Sequence, residues 1–126
     1  MTLLLDTHIA LWAITGDATL GEDFLNRLRH DADIVLSPVS LWEITLKQAI
    51  GKLGGPADLA ERVRDMGFRE LPVTHAHAIA AGRLPPHHRD PFDRMLVAQA
   101  RLEGLTIVTG DARFARYEVP VLAAAP

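Results

Sequence analysis

Four acidic residues are spread along the 126-residue chain, and each lies at or near the edge of an apolar segment: Asp6, Glu43, Asp93 and Asp111. Burying an unpaired carboxylate is costly, so a fold that gathers all four needs cations to offset their charge. Carboxylate oxygens select a hard cation, Mg²⁺ or Mn²⁺, rather than zinc. Such a cluster suits phosphodiester hydrolysis. The opposing interpretation is four unrelated helix caps and turn residues.

Two of the acids follow strands. Asp6 comes directly after the apolar run 2–5, and Asp111 follows the β-branched run 105–109 through Gly110, which permits a tight turn. Ligands of open parallel sheets bind beyond the carboxyl ends of the strands, which is where both acids are expected. A simple N-cap explains Asp6 equally well, and a turn aspartate explains Asp111.

The third acid lies on a helix that begins after Ser37-Pro38, a serine cap followed by proline at the first helical position. Glu43 falls at the margin of the apolar face, beside Ser40 and Lys47. A boundary glutamate whose head reaches water is the equal alternative. Helical spacing places six residues on the apolar face of this helix, namely Val39, Trp42, Leu46, Ala49, Ile50 and Leu53.

Asp93 has the strongest individual case. It shares a helical line with Leu96, Val97 and Ala100, which is the inward face of an apolar stripe. Attraction to the positive end of the helix, about 0.3–1 kcal/mol, explains why an acid is tolerated there but not why it points to the core. Asp90 is the expected N-cap and the weaker ligand candidate.

Strands that alternate with helices predict an α/β fold with a central, mostly parallel sheet of about five short strands, covered on both faces. The predicted strands are 2–5, 34–36, 68–73, 105–109 and 119–122. The predicted helices are 7–14, 21–30, 38–50, 56–66, 74–81 and 91–103.

Composition is that of one soluble globular domain, 1–126, since 48% of the residues are hydrophobic and 23% are charged. The absence of cysteine excludes disulfides and thiolate chemistry, and a reducing, cytoplasmic setting fits. We expect no signal peptide and no membrane span. The net charge of −3 counts mildly against a nucleic-acid partner, though less if the acids hold divalent cations.

Four segments together resemble a known family: Leu5-Asp6-Thr7-His8, Ser37 to Ile44, His88 to Leu96, and Val108-Thr109-Gly110-Asp111. In order and spacing they look like PIN-domain proteins of the VapC toxin type. The resemblance implies a small α/β sandwich and a Mg²⁺- or Mn²⁺-dependent endoribonuclease. It also implies a cognate antitoxin protein that holds the toxin inactive, and a homodimer.

The resemblance assigns roles to individual residues. Asp6, Glu43 and Asp93 match the three most regular acids of the family, and Asp111 matches the usual fourth. Further residues are accessory or RNA-contacting candidates. Accessory candidates are Thr7, Ser40, Asp90, Arg94 and Thr109, and the basic side chains expected to meet RNA are Lys47, Arg89 and Arg94.

The histidines and tryptophans receive plainer interpretations. His87 and His88 lie in a Pro-rich loop; we expect a solvated loop, with phosphate contact second and metal ligation last, because adjacent side chains rarely converge. Trp12 and Trp42 are interpreted as core or interface residues. Core packing is favoured over a separate docking surface for five further apolar residues, Phe24, Leu25, Leu28, Val63 and Met66.

Three rival functions remain. A catalytically inactive PIN-like module would use an apolar surface to dock a partner protein or RNA, with its acids as caps. A histidine-pair ribonuclease would need no metal. A phosphotransfer domain would need an aspartate at the end of a middle strand, where the run 34–37 offers Ser37 instead.

Overall fold

The computed structural model describes residues 2–16, 21–30 and 33–123, apart from the side chains of residues 23 and 27–29. The strands are β1 (Thr2–Leu5), β2 (Asp33–Leu36), β3 (Arg69–Glu70), β4 (Thr106–Thr109) and β5 (Val121–Ala123). The helices are α1 (Thr7–Thr15), α2 (Glu22–His30), α3 (Pro38–Ala49), α4 (Leu59–Arg64), α5 (His75–Arg83) and α6 (Pro91–Glu103). A 3-10 helix spans Ala112–Arg116.

The five strands form one sheet in the order β3-β2-β1-β4-β5, and every neighbouring pair is parallel. The predicted parallel sheet of about five strands is therefore confirmed. Because β1 lies between β2 and β4, its carboxyl end is at the middle of the sheet edge. All the loops that leave this edge can bring their first residues to one place.

Core residues lie on both faces of the sheet, which makes three layers. Leu3 and Leu5 of β1 pack with α1, α3 and α4 on one face, while Leu4 packs with α6 on the other. This alternation follows from the two-residue period of a strand. An all-parallel sheet needs such cover on both faces, since neither side meets water.

Several predicted boundaries were too long. The strand predicted at 68–73 is only two residues, the helix predicted at 56–66 is confined to 59–64, and the last strand lies at 121–123 rather than 119–122. The 3-10 helix after β4 was not predicted. Within the described residues, no helix has the length and apolar character needed to cross a membrane.

The predicted apolar face of α3 was wrong at most of its positions, although Val39 is buried and Leu53 packs against the core as predicted. The buried residues of this helix include Ser40 and Glu43, whereas Trp42, Leu46 and Ile50 are 61%, 39% and 57% exposed. The helix therefore turns polar side chains inward and an apolar stripe outward. Trp42 is not a core residue, although its ring packs edge-on against Phe92 with ring centroids 5.0 Å apart.

The small apolar set expected to pack into the core largely does so. Val63 is fully buried, and Phe24 and Leu25 pack against the same cluster, as does Trp12. Met66 is half-buried. The side chain of Leu28 lies outside the described residues.

Candidate metal centre

Asp6 follows the central strand and is buried. Its Oδ1 accepts the N–H of Ile9 at 2.8 Å, which caps α1, and its Oδ2 accepts a hydrogen bond from the Thr109 hydroxyl. Burial raises the pKa of Asp6, the bonds from Thr109 and Ile9 oppose that rise, and the charge of Glu43 adds to it. Asp6 is thus both a cap and a member of the acidic group.

The same position revises one rival interpretation. The strand in the middle of the sheet is β1, so its end carries Asp6 and not the serine considered for a phosphotransfer domain. The absence of an aspartate after β2 therefore does not exclude phosphotransfer.

Glu43 lies deeper than the margin predicted for it. It is 2% exposed, and its Oε2 accepts a hydrogen bond from Lys47 Nζ at 2.5 Å, one turn along α3. That bond raises the pKa of Lys47. The other oxygen, Oε1, is buried and has no hydrogen-bond partner. An orphaned carboxylate oxygen costs free energy unless a cation or water meets it.

Two buried hydroxyl groups lie beside this glutamate. Thr7, the first residue of α1, donates from its Oγ1 to Ser40 Oγ at 3.0 Å, which ties α1 to α3. Neither hydroxyl is exposed. The accessory residues suggested by the sequence therefore hold two of the acid-bearing helices together, and whether they also orient a ligand stays a prediction.

Asp93 occupies the first turn of α6, where Asp90 is the cap. The Oδ1 of Asp90 accepts the N–H groups of Phe92 and Asp93 at 2.8 and 3.2 Å, so the predicted N-cap is confirmed. The predicted inward line is also confirmed, because Leu96 and Val97 are buried. Burial, followed by the charges of the surrounding acids, raises the pKa of Asp93 to about 8.

After burial, the next causes of that shift are the charges of other acids, which indicates that they lie in the neighbourhood of Asp93. The carboxylates that act on Asp93 are those of Asp90, Glu43, Asp6 and Asp111, in falling order of effect. Asp90 is three positions from Asp93, whereas the other acids lie 18 to 87 positions away in the sequence. Such crowding is unfavourable without positive charge between the groups.

Asp111, like Glu43 with Lys47, is paired with a basic side chain, which here is Arg113. Its carboxylate accepts from Arg113 Nη2 at 2.8 Å and from Arg113 Nε at 3.1 Å, and its Oδ1 also caps the 3-10 helix. The Arg113 hydrogen bond is the largest influence, and it lowers the pKa of Asp111 to about 2. The sequence reasoning missed Arg113, although its position two residues after the acid was visible.

His88 lies between the last two acids. Its Nε2 donates to Asp111 Oδ2 at 3.2 Å and lies 2.8 Å from Asp93 Oδ2. One ligand-type atom from each of these three residues falls within 4.8 Å of the others. His88 is 3% exposed, so the solvated loop expected for it was wrong, whereas His87 is exposed as expected.

Arg94 secures the loop that carries His88. Its guanidinium donates to the carbonyl groups of Ala81, Gly82, Leu84, Pro85 and His88. The sequence suggested this arginine as an RNA contact and missed its bonds to the loop. Arg89, by contrast, is exposed.

The donor set fits a hard divalent cation. Carboxylate oxygens predominate, one of them is buried without a partner, and Asp93 carries a raised pKa among like charges. A cation among these groups would remove the repulsion and meet the orphaned Glu43 oxygen. Of the predicted ligands, Asp93 and Asp111 have ligand-type atoms within 4.8 Å of each other and of His88. That Asp6 and Glu43 bind the same cation stays a prediction.

Comparisons with known proteins agree on the family. The PIN domain profile matches residues 3–120. Ribonuclease VapC22 of Mycobacterium tuberculosis (strain ATCC 25618 / H37Rv) is 29% identical over 126 residues, covering 94% of each chain.

Solved structures share the fold at low identity. The complex VapBC2 from Rickettsia felis, bound to a DNA fragment from its promoter, gives a TM-score of 0.74 at 17% identity, covering 97% of this chain and 98% of that one. Mycobacterium tuberculosis VapC20, described as a sarcin-ricin loop cleaving toxin, gives a TM-score of 0.63 at 18% identity, covering 98% of this chain and 99% of that one. At these identities the likeness shows the fold.

Proposed function

The chain belongs to the PIN-domain family, and on that premise we propose that it is a Mg²⁺- or Mn²⁺-dependent endoribonuclease, the toxin of a toxin–antitoxin pair. Its metal site consists of Asp6, Glu43, Asp93 and Asp111. The curated relative named as a ribonuclease supports the hydrolase activity, since it matches nearly the whole chain. The proposal treats residues 1–126 as one PIN-like domain.

The observation that carries the proposal is the crowding around Asp93. Burial, followed by the charges of four other carboxylates, raises the pKa of this half-buried side chain to about 8. A protein whose acids were only caps and turn residues would have no reason to bring them to one point, because the repulsion lowers its stability. A divalent cation supplies the missing positive charge.

Bound Mg²⁺ or Mn²⁺ supplies an activated water and offsets charge on the departing oxygen of the phosphodiester. The chain's own residues keep the carboxylates in place. Thr109 donates a hydrogen bond to Oδ2 of Asp6, and Lys47 donates one to Oε2 of Glu43. Asp93 is fixed in the first turn of α6. Each acid is thus restrained before a substrate arrives, which reduces the reorganisation needed for reaction.

Basic side chains near the acidic group are available to contact the phosphate backbone of RNA. Arg89 is exposed in the loop before α6, and Lys47 is half-buried beside Glu43. Positively charged side chains of this kind position a nucleic acid without reading its sequence. Arg94 is the weaker contact, because its guanidinium already binds loop carbonyls.

The partners proposed are RNA, a cognate antitoxin protein and a second copy of the chain. Solved neighbours that share the fold include VapBC complexes from Rickettsia felis and Salmonella typhimurium, both with DNA. The stripe of Trp42, Leu46 and Ile50 gives α3 an exposed apolar face. Exposed apolar patches of this kind often mark protein–protein contacts.

Cleavage of a mixed RNA pool tests the proposed activity. We expect fragments with Mg²⁺ or Mn²⁺, none in excess EDTA, and none from Asp6→Asn or Asp93→Asn in any condition. The matched control is Asp33→Asn, since this exposed aspartate pairs with Arg69 at the opposite end of the sheet. Its cleavage should equal that of the unchanged protein.

The outcomes separate the rival functions. Full activity in EDTA would indicate a histidine-pair mechanism. An unchanged protein that binds neither cation and cuts no RNA would favour the inactive PIN-like module, in which the acids are caps. In that case Asp93→Asn should leave binding to a partner unaffected.

A further inference from the structure

His88 is buried within a loop that is otherwise exposed. Its neighbours His87 and Arg89 lie in solvent, as do the two prolines that precede them, yet His88 is 3% exposed. Burying one imidazole in such a loop requires partners for both ring nitrogens. Those partners define which nitrogen carries the proton.

The proton is on Nε2. The backbone N–H of Asp90 donates to His88 Nδ1 at 3.1 Å, so Nδ1 presents its lone pair and bears no hydrogen. The neutral ring then has its single N–H at Nε2. That N–H bonds to Asp111 Oδ2 at 3.2 Å, and Asp93 Oδ2 lies 2.8 Å from the same nitrogen.

The structure around the ring holds it in this orientation. The Tyr117 hydroxyl accepts the backbone N–H of His88 at 3.0 Å and donates to Pro85 O at 2.8 Å. Arg94 bonds to the His88 carbonyl, and the Phe114 ring packs edge-on against the imidazole. Backbone and ring are thus restrained from several sides.

We propose that His88 is a positioning residue, which holds the carboxylate of Asp111 through its Nε2–H beside the carboxylate of Asp93 and does not itself bind the cation. Asp93 lies in the first turn of α6 and Asp111 follows β4. The His88 ring therefore lies between two elements of the fold whose carboxylates repel each other. The inference rests on the proposed function, because the cation that the two acids serve is the one proposed above.

A ligand role for His88 conflicts with its hydrogen bonds. A histidine that binds a metal through one nitrogen donates an N–H from the other, usually to a carboxylate or carbonyl. Here the other nitrogen accepts instead. Binding a cation at Nε2 would require that nitrogen to lose its proton while Nδ1 still faced an N–H.

Two substitutions separate the functions of the two nitrogens. In His88→Asn the amide oxygen can replace Nδ1 as acceptor for Asp90, but no donor reaches the carboxylates. In His88→Gln the longer side chain returns an N–H near the position of Nε2. His75→Gln is the matched control, because His75 is exposed at the start of α5.

The first measurement is Mn²⁺ affinity by calorimetry on the full chain, beside thermal unfolding as a check on folding. We expect His88→Asn to weaken Mn²⁺ binding by roughly 10- to 100-fold, the range found when a partner of a metal ligand is lost. His88→Gln should recover most of the affinity, and His75→Gln should match the unchanged protein. Equal affinity in His88→Asn and the unchanged protein would overturn the proposal.

The second measurement is imidazole ¹⁵N NMR, with and without Mg²⁺. We expect Nε2 to remain protonated in both conditions. Loss of the Nε2 proton when Mg²⁺ is added would make His88 a ligand and would overturn the proposal. If His88 only stabilised the fold, the Mn²⁺ affinity of each variant would fall in proportion to its thermal stability. That result would also overturn the proposal.

Failure of the proposed function is distinguishable. If the unchanged protein binds no Mn²⁺ and cleaves no RNA, the proposed metal site is wrong. Crystal structures of the metal-free variants then test whether His88 positions the two carboxylates. Carboxylates of Asp93 and Asp111 that move apart in His88→Asn but not in His88→Gln would support it. Unmoved carboxylates in both would overturn it.

Discussion

Asp93 and Asp111 lie near the same nitrogen of His88, yet their carboxylates are in opposite electrostatic situations. At the start of α6, burial and surrounding acids raise the pKa of Asp93 to about 8. After β4, the Arg113 guanidinium holds the pKa of Asp111 at about 2. The residue type and the neighbouring histidine are the same, so the difference comes from burial and surrounding acids at Asp93 and from Arg113 at Asp111.

The comparison shows which half of the site is complete without a metal. Asp111 receives charge from Arg113 and a hydrogen bond from His88. At Asp93, burial and the surrounding carboxylates outweigh the charges of Lys47 and Arg113, which also act on it. The α6 end of the site therefore depends on an added cation, whereas the β4 end is balanced by the chain itself.

The largest expected effect is on cleavage. Asp93→Asn should reduce Mg²⁺-dependent RNA cleavage by more than about 100-fold, beyond the loss typical of a residue that only supports a ligand. Asp111→Asn should cost less, because Arg113 already satisfies that carboxylate. Initial rates at saturating Mg²⁺ measure both, and equal losses would show that the two halves of the site are alike.

The second effect is the pH dependence of stability in EDTA. An unfolded aspartate titrates near 3.8 and the folded Asp93 near 8, so between these values the folded protein holds one more proton. Its free energy of unfolding should therefore fall as pH rises from about 4 to about 8, by up to about 1.4 kcal/mol per pH unit from this group.

Asp93→Asn is the control for that slope. Urea unfolding at several pH values should give the substituted protein a flatter profile than the unchanged one. Mg²⁺ should stabilise the unchanged protein more at pH 8 than at pH 5, since deprotonated Asp93 attracts the cation. If the free energy of unfolding depends on pH in the same way for the two proteins, the pKa of Asp93 is not raised by its surroundings.

The smallest effect concerns Arg113. Its pair with Asp111 is partly exposed, and pairs of this kind contribute roughly 0–1 kcal/mol. Arg113→Gln should release Asp111 to the cation and tighten Mn²⁺ binding by up to about fivefold, which corresponds to 1 kcal/mol. Calorimetry measures the change, and weaker binding would show that Arg113 supports the site instead of competing for it.

Helices α6 and α3 show how far the sequence predicts this molecule. On α6, helical phase placed Asp93 on the buried line of Leu96 and Val97, which the structure confirms. On α3 the same reasoning chose the wrong face, because the helix buries Ser40 and Glu43 and exposes Trp42. Periodicity assumes that apolar residues go inward, and a helix that buries a glutamate and exposes a tryptophan does not obey that rule.

The parallel sheet and its strands were predictable because apolar runs and turn residues are local signals. The burial of His88 was not, since it depends on Tyr117, which follows it by 29 positions, and on Phe114. Contacts of this kind are set by the tertiary fold. The loop's own sequence, rich in proline and charge, indicated only exposure.

The hydrogen bond between Asp6 and Thr109 spans 103 positions of the chain. During synthesis Asp6 is therefore made long before Thr109, which orients it. In the same way, β1 can pair with β4 only after nearly all of the intervening chain has been made. Contacts so distant in sequence form late, because the intervening loop must close first. A growing chain thus carries the first acids of the proposed nuclease without an assembled site, and hydrolytic activity would begin only after β4 and Asp111 have been made.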